Sequence, residues 1–123
     1  MKRAKYPTSK QLDERRQWLA GCNQCWVCGA PAWVEALDCH EIASRAQAPG
    51  KWACVENYFA TCRQCHEDVL SWLPEAVQLA FKLVNDPDNY NRVLVNRLRS
   101  RADNAISEGE VTLWKKFVGI KKL

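Results

Sequence analysis

Cys25-Trp26-Val27-Cys28-Gly29, then Leu37-Asp38-Cys39-His40-Glu41-Ile42, then Asn57, then Cys62-Arg63-Gln64-Cys65-His66: this stretch decides the fold. Two C-x2-C pairs bracket a polar segment that carries one of the chain's two histidines, and the other histidine abuts the second pair. A zinc ion takes four soft ligands in a tetrahedron, and two such turns each present two thiolates to one metal. The pairs Cys25/Cys28 and Cys62/Cys65 stand 33 residues apart, enough chain for a β-hairpin clamped at its base. Cys22-Asn23-Gln24-Cys25 has the same spacing. Gly29 and the apolar Trp26-Val27 between the cysteines favour Cys25/Cys28 as the knuckle. Cys39 and Cys54 read as buried residues of extended segments.

Working outward, the rest of the 123 residues makes one small domain with arms: a basic arm and helix over 1–21, the zinc module over 22–73, and a basic helical extension over 74–123. No apolar run is long enough for a bilayer, and Met1-Lys2-Arg3 is not followed by an apolar stretch of signal-peptide type, so a cytoplasmic protein is expected. Seven cysteines clustered as C-x2-C pairs point, in a reducing compartment, to metal before disulfides. The net charge of +4 is unevenly spread: residues 1–20 carry six Lys/Arg against two acids, 21–75 three against seven, and 92–123 eight against three. Basic ends around an acidic middle suit a polyanion gripped at the ends and acted on in the middle. Solvated helix faces would give the same pattern.

Thr8 with Gln11 makes a capping box for a first helix, which Gly21 stops. Extended segments are predicted over 33–40 and 52–61, the second interrupted around Glu56-Asn57, with a Pro49-Gly50 turn between them. A helix is expected to begin near Cys65. Further helices follow over 74–84, 87–101 (capped by Asp86, with Val93, Leu94 and Leu98 inward and Arg92, Arg97, Arg99 and Arg101 mostly outward) and from Ser107. The last opens on a Ser107–Glu110 capping box and carries Val111, Leu113, Trp114 and Phe117.

His40 and His66, brought together by a zinc clamp, can hold a hard cation such as Mg²⁺ while leaving room for phosphate and water. Arg45 and Arg63 can contact phosphate or form surface ion pairs. Trp26 and Trp52 are candidates either to pack or to stack on bases.

In this order, Cys25-x2-Cys28, the Leu-Asp-Cys-His40-Glu41-Ile segment, Asn57 and Cys62-x2-Cys65-His66 resemble the zinc-containing HNH endonucleases. Residues 25–70 carry the resemblance, and more loosely the helical tail from about 74 to 113 (Gln78 to Pro87, then Val95 to Arg99) is similar to those of small phage-type members. The resemblance implies an α+β chain: a ββα-metal core clamped by a four-cysteine structural zinc, with an N-terminal helix and a C-terminal helical extension. It implies a metal-dependent DNA endonuclease with one catalytic Mg²⁺ or Mn²⁺ beside the structural Zn²⁺, acting in the host-cell cytoplasm if phage-encoded. It also implies that Asn57 braces the loop bearing the first histidine and that His66 helps hold the catalytic ion. The usual first motif is a ligand followed by a general base and Ile. Aligned on Ile42, His40 is the ligand and Glu41 the base. Shifted by one, His40 is the base and Cys39 takes the ligand slot, which a hard ion disfavours. DNA is the expected partner, held by Arg45, Arg63, Arg92, Arg97, Arg99 and Arg101 with the basic termini. Two other classes remain open: a catalytically silent nucleic-acid-binding module on the same scaffold, and a zinc adaptor. The apolar C-terminal helices would also serve a homodimer or a partner protein.

Overall fold

The computed structural model describes residues 7–99 and 105–120. Helix α1 (Ser9–Ala20) starts on the expected capping box, with the Thr8 side chain accepting from the Gln11 backbone and the Gln11 side chain accepting from Thr8 N at 2.8 Å. Strands β1 (Leu37–Glu41) and β2 (Tyr58–Cys62) pair antiparallel with Leu37 opposite Cys62 and Glu41 opposite Tyr58. Helix α2 (Arg63–Asp68) follows β2 directly, then α3 (Glu75–Asn85), α4 (Arg92–Arg99) and α5 (Glu108–Ile120). The described chain is therefore mixed α+β, with a small two-stranded sheet and helices before and after it.

Both strands are shorter than the sequence suggests. Val34 N and Glu35 N each bond the Pro31 carbonyl at 3.0 Å, which curls residues 31–35 into a turn and leaves Trp33 86% exposed. Ahead of β2, Asn57 N bonds Cys54 O at 2.9 Å and closes a 3-10 turn over Val55–Asn57, the interruption anticipated there. Gly50 takes a φ of +76° in the turn that Lys51 N closes on Ala48 O, a conformation suited to glycine.

One apolar core runs through all three segments of the chain. It joins Trp26 of the first knuckle, Phe59 of β2, Leu79 and Phe81 of α3, Val95 of α4, and Val111 and Val118 of α5. Trp26 and Phe59 have ring centroids 4.8 Å apart, Phe59 and Phe81 5.8 Å, in tilted or edge-on contact. A smaller cluster gathers Ala43, Ala48, Trp52 and Leu98. Trp26 and Trp52 are both buried, so they pack and are not platforms for bases; Trp52 is further covered by the Arg45 guanidinium, 4.0 Å from its ring centroid.

The C-terminal extension departs from expectation at three points. Asp86 does not cap a helix at Pro87. Its carboxylate is taken by Lys82 Nζ at 3.0 Å, by Trp18 Nε1 at 3.0 Å and by Asn89, so Pro87–Asn89 forms only a 3-10 turn. Helix α4 begins five residues late, where the Asn91 side chain accepts from Leu94 N at 3.0 Å. Its inward face is Val95 and Leu98, and Val93 points out.

Lys82 holds the hairpin to α3. It is fully buried and donates to Val55 O at 2.7 Å, Tyr58 O at 2.8 Å and Asp86, while its ammonium lies 4.8 Å from the Trp18 ring centroid. Burial pulls its pKa down, and Asp86 pushes it back up. Removing one partner of a buried pair leaves the other charge uncompensated, so Lys82→Met should cost about 3–5 kcal/mol in urea unfolding. A loss within about 1 kcal/mol would mean that this lysine does not pin β2.

Candidate functional site

The four knuckle cysteines converge. Sulfurs of Cys25, Cys28, Cys62 and Cys65 all lie within 4.8 Å of one another, and Cys28 Sγ and Cys62 Sγ are 3.9 Å apart. A tetrahedron with metal–sulfur bonds of about 2.3 Å has sulfurs about 3.8 Å apart, whereas a disulfide needs about 2.05 Å. The donor set and its spacing fit a structural metal such as zinc. Burial pushes the Cys25 thiol up, but backbone N–H groups of Cys28 and Cys62 and the Thr61 hydroxyl outweigh it and bring the pKa down to about 7. That environment favours a thiolate. Gly29 sits at φ +80° directly after the first knuckle, and a Cβ there would meet nothing within 4 Å. Left-handed backbone, not crowding, is therefore what calls for glycine. Cys22 stands apart from the group, half-buried, with its sulfur 3.5 Å from Trp18 O.

The clamp sets α2 against β1. His40 on β1 and His66 on α2 come together with ring centroids 5.2 Å apart and planes at 76°. The strand's two-residue period puts Asp38 on the same side as His40. Asp38 Oδ2 accepts from His66 Nδ1 at 3.2 Å and from Arg63 Nε at 2.7 Å. Arg63 first, and His66 after it, hold the Asp38 carboxyl below its usual range despite partial burial. A proton on His66 Nδ1 leaves its Nε2 with a lone pair, the arrangement in which a carboxylate orients a metal-binding imidazole.

Asn57 is fully buried and braces the segment after β1. Its Oδ1 accepts from Ala43 N at 2.7 Å, and its Nδ2 donates to Ala43 O at 2.9 Å and Trp52 O at 3.1 Å. With Ile42 N on Asn57 O at 2.9 Å, three hydrogen bonds tie the end of β1 to Asn57 just before β2, and the bond to Trp52 O fixes the connecting loop.

Glu41 lines one cleft with His66, but its carboxylate is paired with arginines and not with the histidines. One position on from His40, it accepts from Arg15 Nη2 of α1 at 2.6 Å and from Arg45 Nε at 3.1 Å, so both carboxylate oxygens are occupied by guanidinium donors. Cys39, the ligand of the other register, is buried, and burial raises its thiol to about 12. Burial lowers the pKa of His40, against which the hydrogen bond from its Nε2 to Gln78 Oε1 at 2.9 Å acts. An open cleft of about 620 Å³ follows β1, lined among others by Arg15, Asp38, Glu41, Arg45, Arg63 and His66.

Of the arginines expected outside, Arg99 is only 5% exposed and meets Glu75 at 3.5 Å, and Arg92 bonds Glu108 at 2.9 Å and Ile106 O at 2.8 Å. Both hold the C-terminal helices together. Arg97 is exposed, and Arg101, like the basic ends at Lys2–Lys5 and Lys121–Lys122, lies outside the described residues. Asp38 shares a strand face with His40, but its bond to His66 depends on how β1 and α2 assemble. Arg15 and Gln78 reach the site from 26 and 38 residues away and have no local signature. No helix among the described residues is long and apolar enough to cross a membrane. No family model, curated protein or solved structure matches the chain significantly.

Proposed function

We propose that the chain is a metal-dependent DNA endonuclease built on a zinc-clamped ββα-metal scaffold of the HNH type. The observation that carries this reading is the joint arrangement of His40, His66 and Asn57: two histidines face each other across β1 and α2 while a buried asparagine braces the backbone just beyond the first. The four-cysteine group, taken as a Zn²⁺ site, is the support that keeps them together.

His66, oriented by Asp38, is the ligand for a Mg²⁺ or Mn²⁺ ion. Such an ion, when bound, polarises the scissile phosphate and stabilises the leaving oxygen. His40 is the general base: burial keeps its imidazole neutral near physiological pH, ready to take a proton from the attacking water. The occupied Glu41 carboxylate argues against the alignment that makes Glu41 the base. Arg45 and Arg63 at the cleft suit the phosphate backbone, each already held by one carboxylate in the free protein. DNA phosphates that displace Glu41 or Asp38 would give binding that weakens steeply with salt.

Supercoiled plasmid nicking with Mg²⁺ or Mn²⁺ tests the reading. Folded, zinc-loaded His66→Ala should lose nicking at any practical ion concentration, and Asp38→Asn should need about 10- to 100-fold more ion for the same rate. If His66→Ala nicks like wild type, His66 holds no catalytic ion. A protein that retards DNA without cutting it is the silent binding module instead.

A further inference from the structure

We propose that Gln78, carried on the helix that follows the zinc module, is a positioning residue: it fixes the tautomer of His40 and so decides which imidazole nitrogen is free to act. This rests on the reading of His40 as the base. It makes α3 part of the reaction site.

Burial and two contacts carry the assignment. Gln78 is 4% exposed, so its amide must be satisfied by protein groups. Its Nε2 donates to Leu73 O at 2.8 Å, and a carbonyl oxygen can only accept. That fixes the amide: turned the other way, its oxygen would face the Leu73 oxygen. Gln78 Oε1 therefore faces His40 Nε2 at 2.9 Å. An amide oxygen also only accepts, so the hydrogen must sit on His40 Nε2, and the neutral ring keeps its lone pair on Nδ1.

The ring has little freedom to escape this partner. Phe59 meets it edge-on at 5.9 Å on one side and His66 at 5.2 Å on another. Lys82, one helical turn beyond Gln78, anchors α3 to the backbone on both sides of Asn57. Gln78 and Lys82 thus form a polar stripe on an otherwise apolar helix face. One grips the hairpin, and the other sets the chemistry of its histidine.

The test uses the full, zinc-loaded chain with ¹⁵N-labelled histidine, read by long-range proton–nitrogen NMR above neutral pH, alongside plasmid nicking. Wild type should show His40 with the proton on Nε2. Gln78→Met removes both amide contacts. Gln78→Glu keeps an acceptor for His40 but removes the donor to Leu73 O. Positioning predicts that Met lets the His40 tautomers mix and lowers the nicking rate about 10- to 100-fold at unchanged DNA affinity, and that Glu restores most of both. A merely structural glutamine predicts that Glu and Met are equally harmful, since both orphan Leu73 O. Equal damage in both readouts, or a wild-type His40 protonated on Nδ1, overturns the proposal. If the wild-type tautomer is as assigned and responds to Gln78→Met while no DNA is cut, the tautomer assignment stands and the nuclease reading fails.

Discussion

Cys62→Ser should abolish cooperative unfolding and stoichiometric zinc together, as read by thermal melts and metal analysis of the same sample. Cys62 ends β2 and is the residue from which α2 starts, so its sulfur ties the sheet and the helix to the first knuckle at once. The sheet it closes has only two strands of five residues, too little to stand alone in water. Structural zinc in small domains supplies about 10–16 kcal/mol of apparent binding free energy, comparable with the whole stability of a domain at about 5–15 kcal/mol. A chelator strong enough to strip the ion should unfold wild type in the same way. Cys22→Ser is the control. Its thiol lies outside the four-sulfur group, so zinc should remain and stability should fall by no more than about 2 kcal/mol. Zinc lost from Cys22→Ser and kept by Cys28→Ser would move the knuckle to Cys22/Cys25.

His40→Ala should lower the nicking rate about 10²- to 10⁴-fold with DNA affinity unchanged, the range expected on losing a general base. Glu41→Gln should cost less than about tenfold, because its carboxylate serves Arg15 and Arg45 and not the histidine pair. The two alignments available from the sequence predict opposite orders for these variants. A larger loss from Glu41→Gln than from His40→Ala would return the base to Glu41 and make His40 a ligand. Folding must be shown for both, since His40 packs on Phe59 and Glu41 ties α1 to β1.

What the sequence makes legible here is whatever depends on neighbours along the chain. The Thr8–Gln11 and Ser107–Glu110 boxes are four-residue patterns, and both open helices in the structure. The two C-x2-C pairs have geometry built into their spacing, and their sulfurs converge. The start of β1 is an exception: the competing contacts are local, from Val34 N and Glu35 N to the Pro31 carbonyl, but no residue-type pattern marks them. The fate of the charged residues was not legible either. Asp86 is a good cap by type but is claimed by Lys82 and Trp18, and Arg99 is drawn inward by a partner 24 residues away. At the site, the identities of His40, Asn57 and His66 could be read directly, whereas their hydrogen-bonding partners Asp38 and Gln78 emerged only once β1, α2 and α3 were assembled.

The most direct test of the central claim is strand cleavage of supercoiled plasmid by wild-type, zinc-loaded protein as Mg²⁺ or Mn²⁺ is titrated in. The account predicts no cleavage without added ion, and open-circular product that rises and saturates with it. Folded, zinc-loaded protein that cuts no form of DNA at any ion concentration would contradict it.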